Sequence, residues 1–439
     1  MAGSPLHHLF SSSERVLRSH GTFTCLLGAA AIAVAGGSCV RGASVPDEGP
    51  IRVGVVMPQT GTLGTDGQLW LKGIQLATQE INAAGGPLPG RPIELVVLDS
   101  RTDPEVAVTE AQRAIGEGVV AIIGDAGSGG TLAVYDRVTS IAAVPQVSCC
   151  ATSPSLTAAS ASAPLADRYF FRTAPSDALQ GQVVARIANE ERCERLAILY
   201  IDDAYGTPFA AAIEAEFARR GGTVVARVPF VDERPSYTME VTAIAMATPE
   251  CVALIAYPET AGTILRDYDR LSMGSPLWIG TDGLRSDTFL NEVGGGLLAR
   301  VRFYGAAPIT QPMGPTYETF AARYRAAFGN QPGPFVSNNY DAAALLYLAI
   351  ARARSTEGAA IMESVRALGD SRGAIVRVGD LSEALERLAT GDEVNYEGAS
   401  GSVDVDETGD VRADYEVWRV SSDGRGIEQL RTILATELR

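Results

Sequence analysis

Residues 119–154 read VVAIIGDAGSGGTLAVYDRVTSIAAVPQVSCCATSP, and the rest of the chain can be interpreted from this stretch. Its first apolar run, residues 119–123, has the length and the β-branching of a buried strand. The glycine-rich residues 124–131 suit neither a strand nor a helix interior, and apolar residues at helical spacing follow them. A second apolar segment, residues 144–148, leads into a polar turn. The stretch therefore predicts a strand–loop–helix–strand unit with a small polar loop after each strand.

Two hydroxyl residues stand in these loops, Ser128 and Thr152. In an open parallel sheet, ligands bind at the carboxyl edge of the strands, where backbone N–H groups and helix N-termini favour an anion. Ser128 and Thr152 are therefore candidates for holding a carboxylate or a phosphate. The alternative is that both residues cap helices, as Ser and Thr commonly do.

The same alternation of strands and helices extends on both sides of this unit. Predicted strands at residues 51–57 and 93–98 precede it, and each is followed by a helical pattern. After residue 175 the rhythm restarts with a second series of strands, at residues 196–201, 223–228, 252–257 and 277–280. This order predicts an α/β protein with parallel pairing, right-handed crossovers and two similar lobes.

The composition agrees with a soluble protein of two domains. The 439 residues exceed one typical core, and 46% hydrophobic with 20% charged residues is ordinary for a globular chain. A formal charge of −16 argues against nucleic acid as a partner, because no basic stripe is present to neutralise phosphates.

The first fifty residues have the pattern of an export signal. Basic residues precede a short apolar run at residues 23–35, so residues 1–38 are predicted to be a signal peptide and residues 39–50 a tether. Cleavage after Ala35 and lipidation at Cys39 are both compatible with the sequence. The protein is accordingly expected in the periplasm, or anchored as a lipoprotein on the extracytoplasmic face of the membrane.

Histidine and cysteine usage excludes several kinds of site. All three His precede Gly21, so the mature chain lacks a Ser-His or Cys-His catalytic pair. Four Cys remain after the leader, without a CxxC pair, and a zinc site is therefore not expected. The first βα turn also lacks a GxGxxG run, which disfavours a Rossmann-type enzyme. We expect neither an enzyme nor a cofactor or metal.

The motifs, taken in order, resemble one known family. They are VGVVMPQTG with GIQLATQEINAAGG, AQRAIGEGVVAIIG, SCCATSPSLT, YFFRTAPSDALQGQ, DDAYG, WIGTDGL and YEGASGSVDVDETGD. Residues 51–418 resemble the type I periplasmic substrate-binding proteins of ABC transporters, in the branched-chain amino acid and amide branch. The resemblance implies two Rossmann-like lobes with parallel sheets joined by three hinge crossovers, residues 51–172 with 308–396 and residues 173–307 with 397–439. Residues 370–395 resemble a subgroup with one inserted helix.

The family's ligand site, carried over residue by residue, implies a pocket for a zwitterion. Ser128 and Thr152 would hold the ligand carboxylate, and the main-chain carbonyl of Cys150, in a loop with Ala151, would accept from the ammonium. Tyr205 and Tyr257 match aromatic residues of the pocket, and a ring face suits an ammonium. Asp282 would pair with that ammonium through a charge-assisted bond.

Each of these assignments has a structural alternative. Tyr205 and Tyr257 could be packing residues at the rim, and Asp282 could cap a helix. Asp66 departs from the family, because it stands where a bulkier, often aromatic wall is expected. A carboxylate there permits a polar or basic ligand side chain, or it points into solvent.

The resemblance also bears on the four remaining cysteines. Cys193 and Cys251 each stand just ahead of a strand of the second lobe, and in this fold those strands are parallel neighbours. Adjacent strands are about 4.8 Å apart, within the reach of a disulfide, so we expect this pair to be bonded. Cys149 and Cys150 are adjacent, and we expect both to stay reduced because a vicinal bond would distort the peptide.

The implied function is capture of an amino acid or related amide and its delivery to an ABC permease by a monomer. The alternative is a sensory ligand-binding protein of the same fold that signals to a membrane receptor.

Overall fold

A computed structural model describes residues 48–369 and 372–439. The predicted signal peptide, Cys39 and the tether up to residue 47 lie outside the described residues. Within the described part of the chain, no helix is both long and apolar enough to cross a bilayer.

Five parallel strands form the first sheet, in the order β2-β1-β3-β4-β5. Strand β1 (IRVGVVM) lies between two neighbours, and its β-branched residues are almost entirely buried, as expected for a strand covered on both faces. The elements of this part of the chain are β1 (Ile51–Met57), α1 (Gly64–Ala83), β2 (Ile93–Asp99), α2 (Pro104–Gly116), β3 (Ile122–Gly124), α3 (Ser128–Val134), α4 (Ser140–Ala142), β4 (Gln146–Ser148), α5 (Pro154–Ser162) and β5 (Phe170–Arg172).

The second sheet follows the same plan after β5. Its elements are α6 (Asp177–Glu190), β6 (Arg195–Ile201), α7 (Gly206–Arg219), β7 (Thr223–Phe230), α8 (Thr238–Met246), β8 (Cys251–Ile255), α9 (Pro258–Leu271), β9 (Leu277–Gly280), α10 (Asp287–Val293), α11 (Gly295–Leu298) and β10 (Phe303–Pro308). Strands β7, β6, β8, β9 and β10 lie side by side and parallel.

Beyond β10 the chain returns to the first lobe and then adds the last two strands to the second sheet. The returning elements are α12 (Pro315–Phe328), α13 (Val336–Ala353), α14 (Gly358–Ala367), β11 (Ala374–Arg377), α15 (Leu381–Thr390), β12 (Val394–Gly398) and β13 (Gly401–Ser402). The helix expected within residues 370–395 is α15. Strands β14 (Tyr415–Val420) and β15 (Ile427–Ile433) complete the second sheet.

The second sheet is mixed at one edge, while the strands that alternate with helices pair in parallel as expected. Strand β14 is antiparallel to both β10 and β15. The connection between β14 and β15 is a short turn, and a connection of that length joins only antiparallel strands.

Three crossovers join the lobes, and buried polar contacts fix the first and the third. Arg172, at the end of β5, donates from Nε to Asp410 Oδ1 over 2.8 Å and from its backbone N–H to the carbonyl of Gly409. The side chain of Asn338 donates to the carbonyl of Thr173 over 2.7 Å. The first and third crossovers are thereby tied to each other, and the first is also tied to α13.

Each lobe has its own apolar core. The larger core of the first lobe surrounds β1 and the almost wholly buried α13, and a smaller cluster packs α2 against the same sheet. The core of the second lobe surrounds β6, β8 and β9. Tyr257 packs against both cores. The space between the cores is where the carboxyl ends of the two sheets meet.

Candidate functional site

A cavity lies between the lobes, beside the carboxyl ends of strands from both sheets. It brings together residues from five strand-end loops and from the first turn of α1. The sequence-predicted residues on its wall are Asp66, Ser128, Cys150, Thr152, Tyr205, Tyr257 and Asp282. Asp66 and Asp282 thus face the same cavity, although they are 216 positions apart in the sequence.

The first lobe contributes two neighbouring hydroxyls. Ser128 is the first residue of α3, and its Oγ accepts from the backbone N–H of Ser153 over 3.3 Å. Thr152, which is almost fully buried, follows β4 in the adjoining loop. The contact between these loops places both hydroxyl residues on the same wall, as the parallel pairing of β3 and β4 requires.

The second lobe contributes a carboxylate held by a phenol. Tyr205 Oη donates to Asp282 Oδ1 over 2.7 Å and lies 2.9 Å from Thr281 Oγ1. Burial raises the pKa of Asp282, and the hydrogen bond from Tyr205 partly offsets that rise. Within the described residues Asp282 forms no ion pair. It therefore offers the cavity a carboxylate that has no cationic partner among the described residues.

Two tyrosine rings form one aromatic surface beside this carboxylate. Tyr205 and Tyr257 stack with ring centroids 5.7 Å apart and an interplanar angle of 17°. Burial raises the pKa of both phenols, so both rings are neutral at physiological pH. A neutral aromatic face next to a carboxylate is a favourable environment for an ammonium group.

Sequence reasoning missed Asp177, the first residue of α6. It is fully buried, and neither carboxylate oxygen accepts a hydrogen bond of ordinary geometry from the described residues. Burial and the nearby Asp282 raise its pKa well above the usual value, while the Thr152 hydroxyl and Arg172 favour its ionised form. Asp177 thus lies between the predicted carboxylate-binding and ammonium-binding ends. Its place in the motif RTAPSD, just after β5, was the available signal.

Sequence reasoning also missed the apolar half of the wall. Trp70 donates from Nε1 to the carbonyl of Pro334 over 3.0 Å, which fixes the indole against Phe335. Phe335 has φ of 61°, a left-handed conformation that is rare for a bulky residue. The apolar members of the wall are Leu63, Leu69, Trp70, Ala126, Pro334 and Phe335. Trp70 fitted a core-facing helical pattern, so nothing in the sequence distinguished it from an ordinary core residue.

Asp66 lies in the first turn of α1, where it is half-buried and lines the cavity. The next residue, Gly67, sets this position, because a Cβ there would overlap the carbonyl oxygen of Pro58. The close approach brings the start of α1 against the loop that follows β1. Asp66 therefore faces the cavity in the described structure.

Ala151 belongs to the same loop as Cys150 and Thr152 but does not line the cavity. It is fully buried, and its carbonyl accepts from Arg172 over 3.2 Å. Ala151 thus contacts the first crossover between the lobes and not the cavity.

The expectation for Cys149 and Cys150 is wrong, because the structure joins their Sγ atoms. Their Cα atoms are 3.8 Å apart, the ordinary spacing across a trans peptide. Asn339 Nδ2 lies 3.3 Å from Cys150 Sγ. The vicinal pair therefore forms part of the cavity wall through Cys150.

Cys193 and Cys251 lie at the opposite edge of the second sheet. Their Cα atoms are 6.0 Å apart, and Cys251 pairs in register with Leu196 of the neighbouring strand. The two Sγ atoms are bonded at the amino ends of β6 and β8, whereas the cavity lies at their carboxyl ends.

Hydrogen bonds from Thr62 span the mouth between the lobes, one of them to Asp232 Oδ2 over 3.5 Å. Thr62 Oγ1, just before α1, donates to Glu233 Oε1 over 2.9 Å. No group of three or more His, Cys, Asp or Glu with metal-binding geometry occurs among the described residues.

Comparisons with known proteins agree with this geometry. The substrate-binding protein BasB of the chemotactic signal transduction system of Halobacterium salinarum is 27% identical over 362 residues, covering 81% of this chain and 83% of BasB. The Leu/Ile/Val-binding protein homolog 3 of Brucella melitensis is 28% identical over 334 residues, 76% of this chain and 86% of its own. The crystal structure of the leucine-binding protein LivK of Thermotoga maritima superposes with a TM-score of 0.73 at 23% identity, over 88% of this chain and all of LivK.

The family model described as periplasmic binding protein matches residues 50–424, which include both lobes. The similar proteins named above are binding proteins. The two-lobed fold, the interlobe cavity and these matches all agree with the resemblance seen in the sequence motifs. The chain belongs to the periplasmic binding protein family, in its type I branch with the Leu/Ile/Val-binding proteins.

Proposed function

We propose that this protein is an extracytoplasmic solute-binding protein that captures an α-amino acid, or a related amide, between its lobes. The proposal is supported mainly by the distribution of polar groups in the cavity, because the two lobes contribute groups of different character. Hydroxyl residues of the first lobe, Ser128 and Thr152, face a carboxylate and two tyrosines of the second lobe. A zwitterion fits that polarity, with its carboxylate on the first lobe and its ammonium on the second.

Binding to both lobes favours the closed arrangement. A ligand that contacts Thr152 and Asp282 together is bound better when the lobes meet, so it shifts the population towards closure. Thr62 and Glu233 contact each other only across the mouth, and their hydrogen bond supports the same state. A Kd of ~1 µM corresponds to about −8 kcal/mol, which a few charge-assisted hydrogen bonds in a buried cleft can supply.

We further propose that the closed form delivers its ligand to an ABC permease, because the relatives include Leu/Ile/Val-binding proteins. A second candidate function is sensory. The similarity to BasB, a substrate-binding protein of a chemotactic signal transduction system, favours it. Co-purification with a permease or with a receptor from detergent-solubilised membranes distinguishes the two partners.

A thermal-shift screen tests the binding function. Mature protein is freed of co-purified ligand by partial unfolding and dialysis, then heated with amino acids, their amides, urea and other short-chain amides. A true ligand at 100 times its Kd stabilises the folded state by about 2.7 kcal/mol, a readable shift in Tm. The proposal predicts such a shift with at least one α-amino acid or amide. A flat response to the whole panel contradicts it.

A further inference from the structure

One acidic residue of the cavity wall, Asp66, has no role in binding the α-carboxylate or the α-ammonium of the proposed ligand. Asp66 lines the wall from the first turn of α1 and forms no hydrogen bond or ion pair with any described residue. An acid in the first turn also interacts favourably with the helix dipole, but that interaction is equally available to a side chain that points into solvent. The structure instead directs this carboxylate towards the ligand space.

The surroundings of Asp66 make an unpaired carboxylate unfavourable. The wall next to it is formed mainly by Leu63, Leu69, Trp70 and Phe335. Burial among these residues raises the pKa of Asp66. A charge that is taken out of water is costly unless a partner of opposite sign meets it. A cationic or hydrogen-donating ligand group would supply that partner.

The other charged groups on the wall are already engaged. Asp282 accepts from Tyr205 and faces the α-ammonium in the proposed binding mode. Arg285 donates to Glu416 over 2.8 Å from Nε and 3.4 Å from Nη2, so its charge is matched within the protein. Asp66 is therefore the negative charge on the wall, within the described residues, that a bound zwitterion leaves without a partner.

We propose that Asp66 determines specificity, by selecting α-amino acids whose side chain ends in a cationic or hydrogen-donating group. This inference rests on the proposed function, because it assumes that the α-groups bind at Thr152 and Asp282. The aliphatic stem of a lysine- or ornithine-like side chain packs along Trp70 and Phe335. Its head group then reaches Asp66, in the way that long basic side chains combine an apolar stem with a charged tip.

Lysine and norleucine form a matched pair for the test, since they share the stem and differ in the terminal ammonium. We expect wild-type protein to bind lysine more tightly than norleucine by roughly ten- to hundredfold in isothermal titration, the range for a charge-assisted hydrogen bond. In Asp66→Asn that preference should fall to about threefold or less, while norleucine binding stays near its wild-type value. Ornithine and norvaline repeat the comparison with a shorter stem.

Glu318→Gln is the matched control, because Glu318 is an exposed acid in the first turn of α12 and lies off the cavity wall. Its preference for lysine should equal that of wild type. Equal or tighter binding of norleucine by wild-type protein overturns the Asp66 proposal and leaves the proposed function intact, as does a lysine preference that survives in Asp66→Asn. Failure of every α-amino acid and every amide to bind overturns both.

Discussion

Tyr205 donates its phenolic hydrogen to Asp282 over 2.7 Å, and its ring stacks on Tyr257. The bond comes from a neutral donor, so it fixes the position of the carboxylate without cancelling its charge. Asp282 is therefore oriented but not neutralised by the described residues around it. This arrangement is suited to a mobile cation that arrives with the ligand.

Asp282→Asn should weaken amino acid binding by at least tenfold, because a charge-assisted bond becomes a neutral one. Thermal stability without ligand should be unchanged or higher, since burial raises the pKa of Asp282 and its ionised form is costly to bury. Titration calorimetry and thermal unfolding of the same preparations give both quantities. An amino acid affinity equal to that of wild type contradicts the role of Asp282.

Thr152→Val should weaken binding by about 1–3 kcal/mol, the cost of leaving a buried polar ligand group without its hydrogen bond. The change keeps the side-chain shape and removes the hydroxyl. Thr109→Val is a suitable control, because Thr109 is an exposed residue of α2 whose hydroxyl bonds within its own helix. Unchanged affinity in a folded Thr152→Val protein would remove Thr152 from the site.

The raised pKa of the buried Asp125 carboxyl predicts how the stability of the protein depends on pH. Burial raises its pKa from 3.8 to about 7, so the folded protein binds this proton more tightly than the unfolded chain. The contribution of Asp125 to stability should therefore fall as pH rises from about 4 to 7. Asp125→Asn keeps an oxygen for the Ala126 N–H and Ser100 hydroxyl and should flatten this part of the profile. Parallel profiles for the two proteins in thermal unfolding contradict the prediction.

The two cysteine pairs should have different effects on stability and binding. Cys193→Ser with Cys251→Ser should lower stability by up to about 4 kcal/mol in the chain-entropy model and leave affinity nearly intact, because the pair is far from the cavity. Cys149→Ser with Cys150→Ser should instead alter affinity, because Cys150 lines the cavity. Non-reducing peptide mapping first establishes the pairing. Alkylated, free Cys193 in the mature protein would end the first proposal.

The sequence was sufficient for the fold where a local pattern repeats. Alternating apolar strands and amphipathic helices predict the parallel order around β1 and β6, and the motif order predicts the two lobes. The antiparallel β14 was not predicted, because its short alternating pattern resembles any exposed strand. Its direction depends on the turn to β15 and on the edge of β10.

The site was predictable only in its polar part. Small hydroxyl and acidic residues after strands indicate a binding edge, so Ser128, Thr152 and Asp282 were available from the sequence. Trp70 and Phe335 were not, because an aromatic residue in a cavity wall has the same pattern as one in a core. Asp177 was also missed, since its burial depends on contacts across the hinge.

The most direct test of the account is titration calorimetry with the best-binding α-amino acid and two analogues, one without the α-ammonium and one with the α-carboxylate converted to an amide. Each is titrated into wild-type and Asp282→Asn protein. Wild-type protein should lose at least tenfold in affinity for either analogue. Asp282→Asn should no longer distinguish the amino acid from the analogue without the ammonium. Equal binding of all three compounds by wild type would contradict the zwitterion site.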